Sequence, residues 1–344
     1  MNAKALIVAT IALWPWTLAA QGFAGLGQAS EGYALPDPET RFAFPEDHGA
    51  HRAFRIEWWY VTANLQGEDG KDYGIQWTLF RNALSPGQAD SDQAWMGHAA
   101  VSTPEGHHFA ERLARGDSGL AGVRAIPFDA YIDEWRMAGP SLASVDLTAG
   151  GTDFRYDLAL SANGPFVAQG AHGFSVKSAA GQASHYYSQP FYTVSGSLAL
   201  PGKSVEVSGV AWLDREWSSQ PLTADQTGWD WVSLHLDGGD KLMGYRLRDK
   251  DGSAYTVGTW ITAAGIPQPL QPGDLDMTAL KTTTVEGRDV PVHWRVELPA
   301  RALSVEVKAL YADSWMGTRI PYWEGPVSVD GTHDGIGYLE MSGY

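Results

Sequence analysis

The chain has 344 residues, of which 44% are hydrophobic, and its formal net charge is −16 at pH 7. This length suffices for about two domains with separate cores, and the acidic charge argues against nucleic acid or an anionic membrane surface as a partner, because both bind basic patches. The absence of cysteine excludes disulfides, thiolate metal sites, c-type haem and cysteine nucleophiles.

The N-terminus carries one positive residue, Lys4, followed by the apolar run "ALIVATIALWPWTLAA" and small residues. This pattern predicts a Sec-type signal peptide over residues 1–24, which places the mature chain in a bacterial periplasm or outside the cell. The alternative is an uncleaved membrane anchor, which Pro15 and the short apolar span disfavour. In an oxidising compartment, a chain without cysteine takes its stability from its cores.

Short runs of alternating apolar and polar residues follow along the chain, among them "RIEWWYVTANL", "RYDLALSANG", "FYTVSGSLAL" and "VHWRVELP". An alternation with a period of two residues predicts half-buried strands. The Gly-Asp, Asp-Gly and Asn-Gly steps between the runs are typical of hairpin turns. We therefore predict an all-β protein built from barrels rather than open sheets, because closure removes edge strands.

The two halves of the chain contain matching residues in the same order. Trp58 and Tyr60 match Trp229 and Trp231 at a constant offset of 171, and "YSQPFYTVSG" later in the first half matches "YWEGPVSVDG" in the second. Several blocks repeated in one order indicate an internal duplication. The duplication predicts two tandem β-barrel domains.

The boundary between the predicted domains falls near the segment "VAWLDREWSS", residues 210–219. We assign the N-terminal barrel to residues 31–218 and the C-terminal barrel to residues 219–344. Ligand sites often form where two domains meet, so the charged residues of this segment are candidates for a site.

The blocks "EWWYVTANL", "HYYSQP", "VAWLDREW" and "GWDWVSLHL" resemble the AttH-like family of secreted lipocalin-like proteins, which is related to the carotenoid 1,2-hydratases of the hydroxyneurosporene synthase family. The resemblance extends from about Phe42 to Tyr344. It implies two tandem lipocalin-like or calycin-like β-barrels, an apolar ligand, isoprenoid or lipid-like, and a hydro-lyase reaction if the chain is active. Related proteins are often called predicted secreted hydrolases, and their genes accompany ABC-transporter permeases, which makes a permease a candidate partner.

The hydratases use a His-x-aromatic pair followed by an aromatic-x-Asp pair, and His185-Tyr186-Tyr187 and Trp212-Leu213-Asp214 fit this pattern with the two rings exchanged. The resemblance implies that Asp214, kept neutral by an apolar site, donates a proton to a C=C bond. Trp212 and Tyr187 would stabilise the carbocation, and His185 would either position the water or accept its proton. The alternative is that Asp214 is a strand-end carboxylate paired with Arg215.

The remaining candidates are a possible second carboxylate, Glu57, and a set of aromatic residues. Glu57 either faces a barrel interior or forms a structural ion pair with Arg55 or Arg81, and we favour the ion pair. We predict no cofactor and no metal, because the "HGAH" and "HHF" histidines lack an acidic partner at a recognised spacing. The aromatic residues predicted to bind the ligand are Trp58, Tyr60, Trp77, Trp217, Trp229 and Trp231.

The standard hydrolase motifs, such as Gly-x-Ser-x-Gly and His-Glu-x-x-His, do not occur in the sequence. Three functions remain open at this point. The first is a hydratase-like enzyme, the second is a non-catalytic carrier of lipophilic molecules, and the third is an adaptor that docks on a membrane permease.

Overall fold

The computed structural model describes residues 31–344, which form strands and single-turn 3-10 helices but no α-helix. The signal peptide predicted over residues 1–24 lies outside these residues. Within the described part of the chain, no helix is long and apolar enough to cross a membrane. The short 3-10 helices span Glu46–His48, Asp90–Asp92, Gly116–Ser118 and Pro299–Arg301.

The first sheet contains thirteen strands from the first half of the chain. They are β1 (Ile56–Gly67), β2 (Asp72–Ala83), β3 (Gln93–Thr103), β4 (Gly106–Arg115), β5 (Ala121–Arg124), β6 (Phe128–Ile132), β7 (Trp135–Ser141), β8 (Ser144–Gly150), β9 (Arg155–Ala162), β10 (Val167–Ala168), β11 (Phe174–Val176), β12 (Ala183–Leu200) and β13 (Lys203–Ser218). Their order is β4-β3-β2-β1-β13-β12-β9-β8-β7-β6-β5, with β10 and β11 paired to β12. The sheet curls into a nearly closed barrel.

The second sheet contains ten strands from the second half. They are β14 (Gln226–Leu236), β15 (Lys241–Asp249), β16 (Ala254–Ile261), β17 (Pro267–Pro269), β18 (Asp276–Val285), β19 (Arg288–Leu298), β20 (Leu303–Ala309), β21 (Trp315–Met316), β22 (Tyr322–Gly331) and β23 (Gly335–Ser342). Their order is β17-β16-β15-β14-β23-β22-β20-β19-β18, with β21 paired to β22, and they form a half-barrel. The prediction of an all-β fold with two tandem barrel domains is confirmed.

Alternation along the central strands gives each sheet two different faces. On β1, Trp59 and Val61 belong to the core inside the first barrel, whereas Tyr60 belongs to a separate cluster between the two sheets. On β13, Leu213 faces the first core and Trp212 faces the second sheet in the same way. The even-numbered residues of these strands therefore lie between the barrels, because successive side chains of a strand point to opposite faces.

The two barrels pack closely where β2 meets β22. A Cβ atom at Gly74 would lie 2.6 Å from a ring carbon of Pro326, so only glycine permits this approach. Close by, the Asn64 side chain donates a hydrogen bond of 2.8 Å to the carbonyl of Gly337. These contacts fix one sheet against the other in this part of the interface. A cavity lies elsewhere between the two sheets.

Candidate functional site

A cavity of about 210 Å³ lies between the two sheets, and aromatic and aliphatic side chains form most of its wall. It is smaller than the roughly 300–1,000 Å³ of common ligand pockets. It therefore fits a small molecule or one end of a longer one. Its apolar wall comprises Ile56, Trp58, Phe80, Met96, Pro221, Leu222, Trp229, Trp231, Leu247 and Ile320.

Asp214 lies at the wall of this cavity and is only 2% exposed. Three side chains donate hydrogen bonds to its carboxyl group. Tyr186 Oη donates to Oδ2 at 2.6 Å, and Ser188 Oγ and Trp212 Nε1 donate to Oδ1 at 2.5 and 2.7 Å. The indole of Trp231 donates to Tyr186 Oη at 3.3 Å, which links the second sheet to this network.

Burial raises the pKa of Asp214 from its ordinary value of 3.8 to about 7, although the three hydrogen bonds act in the opposite direction. The negative charge of Glu216 contributes to the same rise. A large fraction of Asp214 therefore carries a proton at neutral pH, which is the state that a general acid requires.

The side chains of His185 and Tyr187 leave β12 on the face opposite to the one that meets Asp214 of β13. Tyr187 belongs to the core of the first barrel, where its hydroxyl bonds His48 Nδ1 at 2.7 Å. His185 packs against Phe42 and Trp217, with ring centroids 6.4 and 5.4 Å apart. The structure therefore does not bring the His-x-aromatic pair together with Asp214 in one pocket.

The aromatic residues predicted to bind a ligand divide into two groups in the same way. Trp58 and Tyr60 from β1 line the cavity together with Trp229 and Trp231 from β14. These are the matching positions of the two halves, so the duplication places both copies of the pair around one space. The other two candidates, Trp77 and Trp217, are buried in the core of the first barrel.

Glu57 is fully buried between two arginines on the interior side of the first barrel. Burial alone would raise its pKa, but Arg81 and Arg215 hold the pKa well below the usual range. Arg215 contacts Glu57 Oε2 at 2.5 Å, on the opposite face of β13 from Asp214. The structure thus places Glu57 in an ion-pair network and gives Arg215 a partner other than Asp214.

A family model described as AttH-like matches residues 35–344, which is nearly the whole described chain. The chain belongs to the AttH-like family. The resemblance drawn from the sequence motifs is confirmed. No curated protein matches this chain.

Two solved structures are similar to this AttH-like protein over most of its length. A protein from Nitrosomonas europaea described as an AttH is 34% identical, with a TM-score of 0.82 over 90% of this chain and 99% of the other. Kievitone hydratase from Nectria haematococca is 15% identical, with a TM-score of 0.66 over 90% of this chain and 97% of that enzyme. At 15% identity, the second similarity shows a shared fold alone.

The cavity of this AttH-like protein also contains charged groups that the sequence reasoning missed. Lys177 pairs with Glu216 at 2.9 Å and lies over the rings of Tyr186 and Tyr245, 4.7 and 4.3 Å from their centroids. Burial alone would lower the pKa of Lys177, but Glu216 raises it above its ordinary value. Lys177 therefore stays protonated, and its charge is balanced by Glu216.

Two further carboxyl groups, Glu324 and Glu340, face the first sheet from the second. Both lie in the closing segment "YWEGPVSV…GIGYLEMSGY", and they are directly paired across β22 and β23. Alternation in this segment indicates that Glu324 and Glu340 point to the same side as Tyr322 and Tyr338, which precede them by two residues. Their meeting with Tyr60 depends on the packing of the two barrels, which no local pattern reveals.

None of the described residues form a cluster of three or more His, Cys, Asp or Glu side chains that could hold a metal ion. The wall of the cavity carries carboxyl groups, a lysine, hydroxyls and aromatic faces. A proton donor in an apolar, aromatic space suits reactions that pass through a cationic intermediate.

Proposed function

We propose that this AttH-like protein binds an apolar, isoprenoid or lipid-like molecule between its barrels and adds water to a C=C bond of that molecule. The observation that carries the proposal is the position of Asp214, a buried carboxyl group at the wall of an aromatic cavity. An alkene is a weak base, so its protonation needs an acid that is neutral at the working pH and close to the bond.

In the proposed reaction, the O–H bond of Asp214 breaks and a C–H bond forms at one alkene carbon. The other carbon becomes cationic, and the faces of Trp58, Trp231 and neighbouring rings stabilise it by about 0.5–2 kcal/mol each. Water then forms the C–O bond and releases a proton. The hydrogen bonds from Tyr186 and Trp212 stabilise the Asp214 carboxylate that remains after proton transfer.

The fold shared with kievitone hydratase supports this proposal, because that protein is by its name a hydratase on the same architecture. The motifs shared with carotenoid hydratases support the proposal at Asp214 and Trp212. The other two residues of that pattern, His185 and Tyr187, lie on the face of β12 that points away from Asp214. We therefore assign the water-positioning role to groups inside the cavity. The reaction would take place in the periplasm or outside the cell, where the predicted signal peptide would send the chain.

A second candidate function is a non-catalytic carrier, with or without a permease partner. The observation that favours it is that three donors satisfy the carboxyl oxygens of Asp214, as they would in a purely structural role. In a carrier, the aromatic wall alone retains the ligand, and the same molecule enters and leaves unchanged.

Mass spectrometry of organic extracts from the secreted protein and its Asp214→Asn variant distinguishes the two functions. The enzyme predicts that the variant retains an unsaturated molecule, whereas the wild type releases it or holds the same molecule plus one water. Asp237→Asn, an exposed change in the second barrel, is the matched control and should behave as the wild type. Identical, unchanged ligand in all three proteins would refute the enzyme and leave the carrier.

A further inference from the structure

The second barrel carries a pair of carboxyl groups at its interface with the first barrel. Glu324 on β22 and Glu340 on β23 are direct cross-strand partners. The hydroxyl of Tyr60, from the first barrel, donates a hydrogen bond of 2.5 Å to Glu324 Oε1 and is also hydrogen-bonded to Glu340. One tyrosine therefore joins the two carboxyl groups across the interface.

Glu340 occupies the position in the second sheet that Asp214 occupies in the first. Tyr60 and Trp231 are matching residues of the duplication, 171 positions apart. Asp214 lies opposite Tyr60 in the pairing of β1 with β13, and Glu340 lies opposite Trp231 in the pairing of β14 with β23. The two acids are thus equivalent members of the two copies and face one cavity.

Of the two glutamates, Glu340 is the one that lines the cavity. Trp229 Nε1 donates to its Oε1 at 2.7 Å, and no lysine, arginine or histidine within residues 31–344 forms an ion pair with it. Glu216, the other glutamate of the cavity, is instead bound to Lys177 at 2.9 Å. A carboxylate bound by neutral donors keeps more of its basicity than one bound by a cation.

The charged groups around Glu340 favour one negative charge shared between it and Asp214. Burial raises the pKa of Glu340 to about 7, against the hydrogen bond from Trp229 and the contact with the Tyr60 hydroxyl, and Asp214 and Glu216 add to the rise. Burial also keeps the pKa of Glu324 well above its usual range, so Glu324 stays neutral. Two acids that titrate together and repel each other populate a state in which one is protonated and the other ionised.

We propose that Glu340 is the general base of the reaction, taking a proton from the attacking water while Asp214 supplies the other proton to the alkene. This inference rests on the proposed function. The water O–H bond breaks as its oxygen forms the C–O bond, and the proton passes to a Glu340 oxygen. Asp214 ends as a carboxylate and Glu340 as an acid, and exchange with water restores both after the product leaves.

Tyr60 and Glu324 are positioning residues in this arrangement. The neutral Glu324 keeps the Tyr60 hydroxyl in place, and Tyr60 in turn fixes Glu340 beside the cavity. The site is therefore completed only by residues of both barrels, with the acid on β13 and the base on β23.

A cationic probe tests the assignment without knowledge of the natural substrate. N,N-dimethylhexylamine carries a protonated nitrogen where a protonated prenyl-type chain would carry its cationic carbon, and 2-methyl-2-octanol is a neutral comparison of similar size. Binding of each is measured by calorimetry at pH 7. We expect the wild type to prefer the amine by at least about tenfold, which corresponds to about 1.4 kcal/mol, and Glu340→Gln to abolish that preference while still binding the alcohol.

The unchanged binding of the alcohol shows that the cavity of the Glu340→Gln variant is intact. Glu306→Gln, which removes a carboxylate of β20 outside the cavity wall, is the matched control and should keep the preference for the amine. A wild type without this preference, or a Glu340→Gln variant that retains it, would overturn the inference.

The outcomes separate this inference from the proposed function. If Asp214→Asn blocks the conversion and the amine preference does not depend on Glu340, the hydration stands and another group is the base. If Asp214→Asn changes nothing in the extracts while the amine preference depends on Glu340, the cavity is a binding site for cationic or polar lipophiles and the proposed reaction is wrong.

Discussion

Replacing Asp214 by asparagine should make the protein more stable at neutral pH and have less effect in acid. Asparagine has the shape of aspartic acid, and its carbonyl oxygen can accept the bonds from Trp212 and Ser188. Its amide nitrogen then faces the Tyr186 hydroxyl, which accepts instead of donating. The substitution therefore keeps the shape of the side chain and removes the titration of the Asp214 carboxyl group.

The magnitude follows from the pKa of Asp214, which is about 7 in the folded protein against 3.8 ordinarily. Because the folded value is the higher one, the folded state binds the proton more tightly, and this stabilisation is present in acid and lost as the pH rises from about 4 to about 7. Each pH unit in that window costs about 1.4 kcal/mol. The wild type should therefore lose about 4 kcal/mol relative to the variant across the window.

Urea unfolding of both proteins, followed by far-UV circular dichroism at several pH values between 4 and 8, measures this difference. The exposed change Asp237→Asn is the control for the loss of one carboxyl group. A constant difference in the free energy of unfolding between Asp214→Asn and the wild type across the whole range would refute the reasoning, because Asp214 would then have an ordinary pKa.

Two further predictions concern residues on the interior side of the first barrel. Glu57→Gln should lower the free energy of unfolding by about 3–5 kcal/mol, because it leaves Arg81 and Arg215 buried without their counter-charge. Urea unfolding measures this loss, with Glu68→Gln as an exposed control. A loss below about 1 kcal/mol would contradict the prediction. His185→Gln should leave the affinities for the alcohol and the amine within about twofold of the wild-type values, because His185 faces away from the cavity. Calorimetry that finds a larger loss of affinity would contradict that placement.

The fold could be predicted from the sequence because its determinants are local. The run "RIEWWYVTANL" alternates with a period of two residues and forms β1 (Ile56–Gly67). Turn residues mark the hairpins, and the repeated blocks indicate the two copies. The cavity-facing positions Trp58 and Trp231 could also be found, because alternation and duplication are both properties of the sequence.

The relation between His185 and Asp214 could not be predicted, because one irregularity in β12 decides it. The hairpin closes with Leu200 paired to Lys203, and a regular ladder from there would pair His185 with Ser218, on the same face as Asp214. A bulge between Gln189 and Tyr192 shifts the register by one residue, so that His185 pairs with Trp217. A shift of one residue in the register reverses the face of every side chain on the far side of the bulge from the hairpin turn.

The role of Glu340 could not be predicted from the sequence either, for a different reason. Its neighbours Asp214 and Tyr60 lie in the other barrel, more than a hundred residues away along the chain. Only the packing of the two sheets brings these groups together, and that packing depends on complementary surfaces rather than on any short motif.

The segment between the barrels, residues 219–225, links the end of β13 directly to the start of β14. Two of its residues, Pro221 and Leu222, form part of the cavity wall. A short tether holds two modules at an effective concentration of about the millimolar range, whatever the dilution of the whole molecule. The two half-sites therefore stay assembled at any dilution of the chain, whereas two separate barrels would dissociate as they became dilute.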